Sequence, residues 1–355
     1  MKKRLVALSL ALAMSLSLAA CGDGSKSGND SPKGSSSSVN DPGSSSVTNP
    51  SDEITDTLSQ RIYVSTAQSG SLYYSAGIAV TQLWTEKIPG AMASANSSSG
   101  SAENLNLIIS GETNLGIVQS NLVKDAYEGV NAFDGEPHTE LRILAPLTTA
   151  YYHIVARKDA NISCLADAAG KRVCVGLSGS GNMTTNTLIF NAIGMSFEDF
   201  TPEYISLGES IEAMRNGLLD MSIIFGQYPD SNVMDAISST GSNLELVSFS
   251  AEEIQKITEA NSWIVSATIP GGTYEDYNDD ILTLAHNGYI CVTEDFPEED
   301  AYLLTKTLYS NLEWLYEAYA GLNCYATQNP YEAALSTSVP LHAGAQRAFE
   351  ELGLM

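Results

Sequence analysis

The chain has 355 residues, enough for two ordinary domains, and 43% of them are hydrophobic while 17% are charged. This is the composition of a globular protein with few charged residues. The formal net charge is −25, and the sequence has no basic patch to offset it, which argues against nucleic acid as a partner.

The amino terminus has the pattern of a secretion signal. Basic residues at 2–4 precede an apolar run over 5–18, which is too short for a permanent membrane-spanning helix. The run ends in Leu18-Ala19-Ala20-Cys21-Gly22, which resembles the lipobox of bacterial lipoproteins. The resemblance implies a signal peptide at 1–20 and acylation of the Cys21 thiol and amine, with palmitate as the expected acyl group. An ordinary secretory signal and a cytosolic apolar terminus are the alternatives.

Residues 21–58 are predicted to form a flexible tether. Ser, Gly, Asn, Pro and Asp dominate this stretch, and Val39 and Val47 are almost its only bulky apolar residues before Ile54. Such a composition cannot bury enough apolar surface to offset the entropy lost on ordering. We therefore expect an extracytoplasmic protein that is attached to the membrane by its lipid anchor alone.

After the tether, short strands alternate with helices. The pattern predicts strands at 61–64, 93–96 and 115–119, and helices over 72–84 and from Ser101 onward. This alternation is typical of an open α/β sheet. Ligands of such sheets bind beyond the carboxyl ends of the strands. Small polar residues fall at those ends, at 65–71, 97–101 and 119–120.

A serine-rich loop, Ser97 to Ser101, leads into a segment whose apolar residues Leu105, Ile108 and Ile109 recur at helical spacing. The first N–H groups of a helix lack partners and carry a partial positive charge, so they attract anions. The alternative is that these residues only begin the helix, with Ser101, Asn104 or Glu103 as the cap and early-turn residues.

The second half of the chain repeats this pattern. Strands are predicted at 141–147, 152–157, 173–176, 220–225, 244–249 and 283–293, and helices at 209–219, from 251, and from 300 to the end with a break at 329–330. The loop 177–184 contains Gly179-Ser180-Gly181 and leads into another helix, with Asn182 or Thr184 as the alternative cap. Two helix starts of the same chemistry predict one shared ligand.

Cysteine and histidine give no catalytic or metal motif. Cys164, Cys174, Cys291 and Cys324 lack metal-ligand spacing, and buried free thiols are the first expectation. A Cys164–Cys174 disulfide is the alternative in an extracytoplasmic protein. The histidines form no motif, so we expect neither a metal nor a cofactor.

Six short motifs follow one another from about residue 60 onward, namely Ser71-Leu72-Tyr73-Tyr74, Gly100-Ser101-Ala102-Glu103-Asn104-Leu105, Leu115-Gly116-Ile117-Val118-Gln119-Ser120, Gly179-Ser180-Gly181, Gly226-Gln227-Tyr228-Pro229 and Ile269-Pro270-Gly271-Gly272-Thr273-Tyr274. Together they resemble the TAXI family of solute-binding receptors, which serve tripartite ATP-independent periplasmic (TRAP) transporters. The resemblance implies a two-lobed α/β protein with the type II periplasmic-binding-protein fold and its ligand in the interlobe cleft.

The expected lobes are 59–150 with 283–355, and 151–282. By the resemblance, they close on a small acidic solute, glutamate or a related carboxylate, and deliver it to membrane permease subunits. The sequence departs from the family pattern at 66–71, which carries side chains where glycines are usual, and at Ser75, which stands where a proline is usual. Side chains at the first loop narrow the space for a ligand.

We expect ligand contacts from both lobes. The candidates are Gln68, Ser69, Tyr73, Tyr74, Ser98, Ser99, Gly100, Ser101, Gln119 and Ser120 in the first lobe, and Ser178, Ser180, Gly181, Gln227 and Tyr228 in the second. For Tyr73 and Tyr74 the alternative is helix packing. Arg142, Arg157 and Arg215 are candidates for a charge-assisted contact, and Glu103 and Glu209 for contact with an amine; each has a simpler role as a surface or cap residue.

An enzyme is the main competing hypothesis. Gly179-Ser180-Gly181 is not the GxSxG nucleophile motif and no histidine is placed as its base, so we expect a monomeric binding protein without catalysis. Two more hypotheses share the expected fold, namely a surface-anchored ligand sensor and a binding protein for another transporter type.

Overall fold

The computed structural model describes residues 56–238, 242–322 and 330–355. The expected signal peptide at 1–20, the lipidated Cys21, nearly all of the tether and Cys324 lie outside the described residues.

Strands and helices alternate along the described chain. The strands are β1 Ile62–Ser65, β2 Ala93–Asn96, β3 Leu115–Gln119, β4 Leu141–Arg157, β5 Arg172–Cys174, β6 Thr201–Glu203, β7 Met221–Gly226, β8 Leu244–Val247, β9 Val265–Ile269 and β10 Ile281–Thr293. The helices are α1 Leu72–Lys87, α2 Ser101–Ile109, α3 Ser120–Glu128, α4 Gly181–Ala192, α5 Leu207–Arg215, α6 Ser231–Ser238, α7 Ala251–Ala260, α8 Glu298–Ser310, α9 Leu312–Ala318, α10 Pro330–Leu335 and α11 Ala343–Glu351. Within the described chain, no helix is both long and apolar enough to cross a membrane.

The strands form one sheet in the order β2-β1-β3-β10-β4-β7-β5-β6, with β8 paired to β4 and β9 to β10. Strands β1, β2 and β3 pair in parallel, as do β5, β6 and β7. Strands β4 and β10 run antiparallel between these two groups. The predicted α/β class is confirmed, and two parallel half-sheets are joined by two long strands.

The long strand β4 differs from the sequence-based prediction of separate strands at 141–147 and 152–157. Residues 148–151 stay in the ladder because they pair with residues 285–288 of β10. This stretch contains neither glycine nor a turn dipeptide, and Thr148 and Thr149 favour extended backbone. At about 3.3 Å per residue, the 17 residues of β4 span roughly 55 Å, so β4 reaches both half-sheets.

The buried hydrophobic residues form four clusters, two on each half-sheet, and each pair of clusters makes up one core. The first core packs helices α1, α2, α3, α8 and α11 against β1, β3 and residues 289–292 of β10. The second core packs α4, α5, α6 and α7 against β5, β7 and residues 152–156 of β4. Strand β4 contributes Leu144 to the first core and Tyr152 to the second. The same strand therefore belongs to the first core at its beginning and to the second core at its end.

Several elements differ from the sequence-based expectation. Helix α5 begins at Leu207 and not at Glu209, because Ser206 and Glu209 form a capping box at its start, and it ends at Arg215. Helices α3 and α6 and strands β6 and β9 were not predicted. The C-terminal helices are also interrupted near Leu341, which forms a parallel bridge with Ile143 of β4. Short elements and tertiary bridges of this kind leave little periodicity in a sequence.

Candidate functional site

A cavity of about 270 Å³ lies at the carboxyl ends of the parallel strands. Its walls include residues that directly follow β1, β2, β5 and β6, and residues at the ends of β3 and β7. Both half-sheets therefore contribute to one cavity. This is the position at which open α/β sheets bind ligands, because loops from neighbouring strands converge there.

The cavity gathers eight of the fifteen residues predicted as ligand contacts, and these are Gln68, Ser69, Tyr73, Ser99, Gly100, Ser101, Gln119 and Gly181. The other seven, which are Tyr74, Ser98, Ser120, Ser178, Ser180, Gln227 and Tyr228, are absent from its wall among the residues that the structure describes. Ser178 is exposed in the turn before α4, and Ser120 is buried in the first turn of α3.

Helices α1, α2, α4 and α5 all begin at the cavity. Their first-turn or cap residues Ser71, Gly100, Gly181 and Ser206 belong to its wall. Ser71, Ser180 and Ser206 each accept a hydrogen bond from a backbone N–H of the following turn. The remaining first-turn N–H groups have no intrahelical acceptor, so four partial positive charges converge on this space.

The start of α2 differs from the predicted caps. Gly100 is the cap residue, at a φ of 125° that favours glycine, and it makes no side-chain cap hydrogen bond. Glu103 accepts hydrogen bonds from the Ser99 hydroxyl and backbone N–H, at 2.7 and 2.6 Å, and these bonds lower the pKa of its carboxyl. Asn104 instead donates to the backbone carbonyls of Thr66 and Ile117. Ser101 and Asn104 are therefore not caps.

The start of α4 also differs from the predicted caps, Asn182 and Thr184. Ser180 is the cap, and its hydroxyl accepts from the Met183 N–H at 3.1 Å. Its side chain is 2% exposed, because it turns back onto the helix. The sequence signal for this cap is weak, since Ser178, Ser180 and Thr184 all have side chains that can cap a helix.

Gly181 brings the two predicted loops into direct contact. A Cβ atom at Gly181 would lie 2.5 Å from Gln119 Oε1 and 3.0 Å from Ser101 Cβ. Gln119 Nε2 donates to Asn182 Oδ1 at 3.2 Å, and Thr185 Oγ1 donates to Gln119 Oε1 at 3.2 Å. Only a glycine allows this close approach. Through its hydrogen bonds, Gln119 at the end of β3 connects that strand to the start of α4.

The cavity floor holds a hydrogen-bonded chain that was not predicted. The Tyr73 hydroxyl contacts His286 Nε2 at 3.3 Å, and the Tyr152 hydroxyl contacts His286 Nδ1 at 2.6 Å. Burial lowers the pKa of His286 to about 3 and raises the pKa of Tyr73 well above its usual value. Both groups are therefore neutral at physiological pH. The sequence gives no signal for this contact, because Tyr73 and His286 are 213 residues apart.

Charged side chains are absent from the described cavity wall, where the titratable residues are Tyr73, Cys174 and His286. The three candidate arginines form ion pairs elsewhere: Arg142 with Glu294, Arg157 with Asp159 and Asp220, and Arg215 with Glu212 and Asp235. Burial raises the pKa of the Cys174 thiol. Cys164 and Cys174 are both free, so the alternative disulfide between them is not formed.

Gln227 and Tyr228 lie beside the cavity rather than in its wall. They form a turn with a cis Tyr228–Pro229 bond. The Tyr319 hydroxyl donates to Gln227 Oε1 at 2.9 Å, and the Tyr228 ring packs edge-on against Tyr151 at a centroid distance of 4.5 Å. These contacts position the end of β7. No group of three or more metal-ligating side chains occurs among the described residues.

Other cavity residues were missed as ligand contacts, among them Asn182, Ser206, Leu207, Gly208 and Asn232. The start of α5 had a readable signal, because Ser206 and Glu209 have capping-box spacing ahead of an apolar helix. Asn232 had none, since α6 was not predicted.

Solved structures with a similar fold include MatC from Rhodopseudomonas palustris with bound malate, at 12% identity and a TM-score of 0.53, covering 82% of this chain and 97% of that chain. A protein from Bordetella bronchiseptica RB50 is similar at 11% identity and a TM-score of 0.50, covering 82% and 98%. The expected type II periplasmic-binding-protein fold is thereby confirmed.

The sequence itself identifies the family. The profile of the NMT1-like family matches residues 64–353, which extends from β1 beyond α11 and so includes both half-sheets and the whole cavity. On that match, this chain belongs to the NMT1-like family.

Proposed function

We propose that this protein is an extracytoplasmic receptor that binds a small anionic solute, a glutamate-like amino acid or a related carboxylate, in the cavity. The observation that carries the proposal is the convergence of four helix N-termini on one cavity. Unpaired N–H groups at helix starts bind oxyanions without a cationic side chain. MatC, whose structure contains malate, is a precedent for a carboxylate ligand in this fold.

In this proposal the protein has two lobes, 59–150 with 283–355 and 151–282, and the ligand stabilises their closure. The two separate cores and the long strands β4 and β10 support these lobes. Ser99, Ser101 and Gln119 would hold the ligand from the first lobe, and Gly181 and Asn182 from the second. The seven predicted residues outside the wall would support these contacts instead.

Delivery to the permease subunits of a TRAP-type transporter is the second part of the proposal. It rests on the motifs shared with the TAXI family, and membrane attachment through Cys21 rests on the lipobox pattern. We propose that the protein works as a monomer without catalytic activity.

A binding screen with two variants of one glycine tests the proposed site. Gly208 belongs to the cavity wall, and a Cβ there would meet no heavy atom within 4 Å. Gly208→Leu adds a large side chain at this open position in order to obstruct the cavity, while Gly208→Ala is the matched control. Ligand at a hundred times its dissociation constant adds about 2.7 kcal/mol to the free energy of unfolding.

We expect a carboxylate to raise the melting temperature of the unchanged protein and of Gly208→Ala, but not of Gly208→Leu. Stabilisation of all three proteins would place the ligand elsewhere, and a response to no carboxylate would contradict the proposal. Uptake by vesicles that contain the purified permease, with and without this protein, tests delivery.

A further inference from the structure

We propose that the ligand of this cavity is an organic acid with one carboxylate, no ammonium group and a partly apolar body. This inference rests on the proposed function and narrows its substrate class. It excludes glutamate, other amino acids and dicarboxylates as the preferred ligands. The inference rests on the charge and polarity of the residues that line the cavity.

The described wall offers no charged side chain as a partner for a second charge on the ligand, since it contains no Lys, Arg, Asp or Glu, and two of its four helix starts already have an acid in the first turn. A dicarboxylate would bury its second carboxylate without a cation, and an amino acid would bury its ammonium without an anion. Buried charges without a partner are strongly unfavourable, so ligands that carry them are rejected.

Three acids near the wall do not supply the missing partner, because each already accepts hydrogen bonds at a helix start. The buried Asp230 accepts from the backbone N–H groups of Asn232 and Val233. Glu103 receives the Ser99 hydroxyl and N–H, and Glu209 receives the Ser206 hydroxyl and N–H. The carboxylates of Glu103 and Glu209 are exposed to solvent. An ammonium in the cavity would therefore face helix N-termini, whose partial charge is positive.

The titratable residues of the wall do not supply a charge for the ligand either. Both ring nitrogens of His286 are hydrogen-bonded to tyrosine hydroxyls, so the position of the ring in the floor is fixed. Tyr73 is buried, and the Cys174 sulfur is placed 3.5 Å from the Ile205 carbonyl oxygen. Each of these groups is neutral at physiological pH because burial disfavours its charged form.

Apolar side chains form part of the remaining wall, beside uncharged polar ones such as Gln68, Gln119 and Asn232. Leu72, Ile205, Leu207, Ile223 and Phe225 line the same cavity. A ligand that carried polar groups over its whole surface would leave these groups unpaired against hydrocarbon. The volume of about 270 Å³ lies near the lower end for ligand pockets. The body of the ligand is therefore small, and the part of it that faces these side chains is apolar.

The position of the carboxylate follows from the first turns of the helices. Helices α2 and α5 have acids there, Glu103 and Glu209, which compensate their partial positive charge. Helices α1 and α4 have no acidic residue in the first turn. Both helices reach the cavity, but α1 presents the large side chains of Leu72 and Tyr73, whereas α4 begins with Gly181, which has no side chain to shield its N–H groups. We therefore place the carboxylate at the start of α4.

A charge series on one carbon skeleton tests the ligand class. The probes are pentanoate, glutarate, norvaline, glutamate and pentylamine, with 3-phenylpropanoate, phenylalanine and phenethylamine as a larger set. Calorimetric titration of the purified protein measures each affinity, and Gly208→Leu reports whether the binding is in the cavity. We expect the monocarboxylate of at least one set to bind tenfold or more tightly than its charged relatives.

The outcomes separate this inference from the proposed function. Tighter cavity binding of glutamate, norvaline, phenylalanine or glutarate would overturn the inference and leave the receptor proposal standing. Binding of pentylamine or phenethylamine alone, or of no probe, would contradict both.

Asn182→Asp gives a second test with two readouts. Aspartate at 182 can still accept the hydrogen bond from Gln119 Nε2, and a negative charge in the first turn stabilises the helix. We expect a higher melting temperature together with a monocarboxylate affinity at least tenfold lower. Unchanged affinity in a folded variant would contradict the placement of the carboxylate at α4.

Discussion

The serine- and glycine-rich loops before α2 and α4 look alike in sequence but differ in structure. Before α2, Ser99 is bonded to Glu103 and Ser98 to Asn104, so the loop satisfies its own side chains. Before α4, Ser180 caps the helix and Gly181 approaches Gln119. The serine side chains of the first loop therefore bond within their own segment, whereas the second loop packs against Gln119 at the end of the distant strand β3.

The difference concerns charge as well as geometry. The first turn of α2 contains the anionic Glu103, whereas the first turn of α4 contains no acid. For a ligand anion, the partial positive charge at the start of α2 is therefore offset by Glu103, whereas the partial positive charge at the start of α4 is not offset. Similar sequence composition does not imply the same electrostatic role.

Gly181→Ala would break the contact that distinguishes the α4 loop. The added methyl group would meet Gln119 Oε1 at 2.5 Å, and overpacking of this kind costs about 1–3 kcal/mol. If the lobes open, this cost falls on the closed state alone, so ligand affinity drops roughly 10- to 100-fold while the melting temperature without ligand changes little.

The matched control is Gly208→Ala, since Gly208 also belongs to the first turn of a cavity helix but has no heavy atom within 4 Å of an added Cβ. Titration calorimetry on both variants makes the comparison. Equal affinities would show that the Gly181 approach does not matter for closure.

Ser180→Ala would remove the side-chain cap of α4. The lost hydrogen bond to the Met183 N–H is expected to lower the free energy of unfolding by about 1 kcal/mol. Ser97→Ala in the other loop, an exposed position four residues before α2, should stay within about 0.5 kcal/mol of the unchanged protein. Urea denaturation measures both, and equal losses would refute the distinction between the loops.

Glu103→Gln would remove the charge that compensates α2, with an expected loss of about 0.3–1 kcal/mol at pH 7. The carboxylate is largely exposed, so solvent screening keeps this effect small. The Ser99 hydroxyl and N–H lower its pKa from the ordinary 4.5. The stabilisation is therefore present above pH 4.5, and it disappears as the pH falls through the lower folded-state pKa.

Urea unfolding of this variant at pH 7 and at pH 3 tests that dependence, with Glu198→Gln as the control because Glu198 is exposed and outside any helix. A difference between Glu103→Gln and the unchanged protein that stays the same at both pH values would contradict a role for the ionised carboxylate.

The sequence predicted the fold better than the site. Regular alternation of apolar strands and helices gave the α/β class, and most predicted strands lie within two residues of the observed ones. The exceptions follow from pairing: residues 148–151 had no strand signal of their own and are extended because β10 lies beside them. The predicted cavity residues are mainly those of helix starts, where glycine and serine have local signals.

Local sequence patterns were sufficient to predict most of the strands and helices, though not α3, α6, β6 or β9, and the starts of α2 and α4 to within a residue or two, because periodicity and capping act over one or two turns. Tertiary structure alone decided that Gly181 meets Gln119, that His286 joins Tyr73 to Tyr152, and that no charged side chain reaches the described cavity wall. These features depend on residues far apart in the chain that the two long strands bring together, and no local pattern records such distances.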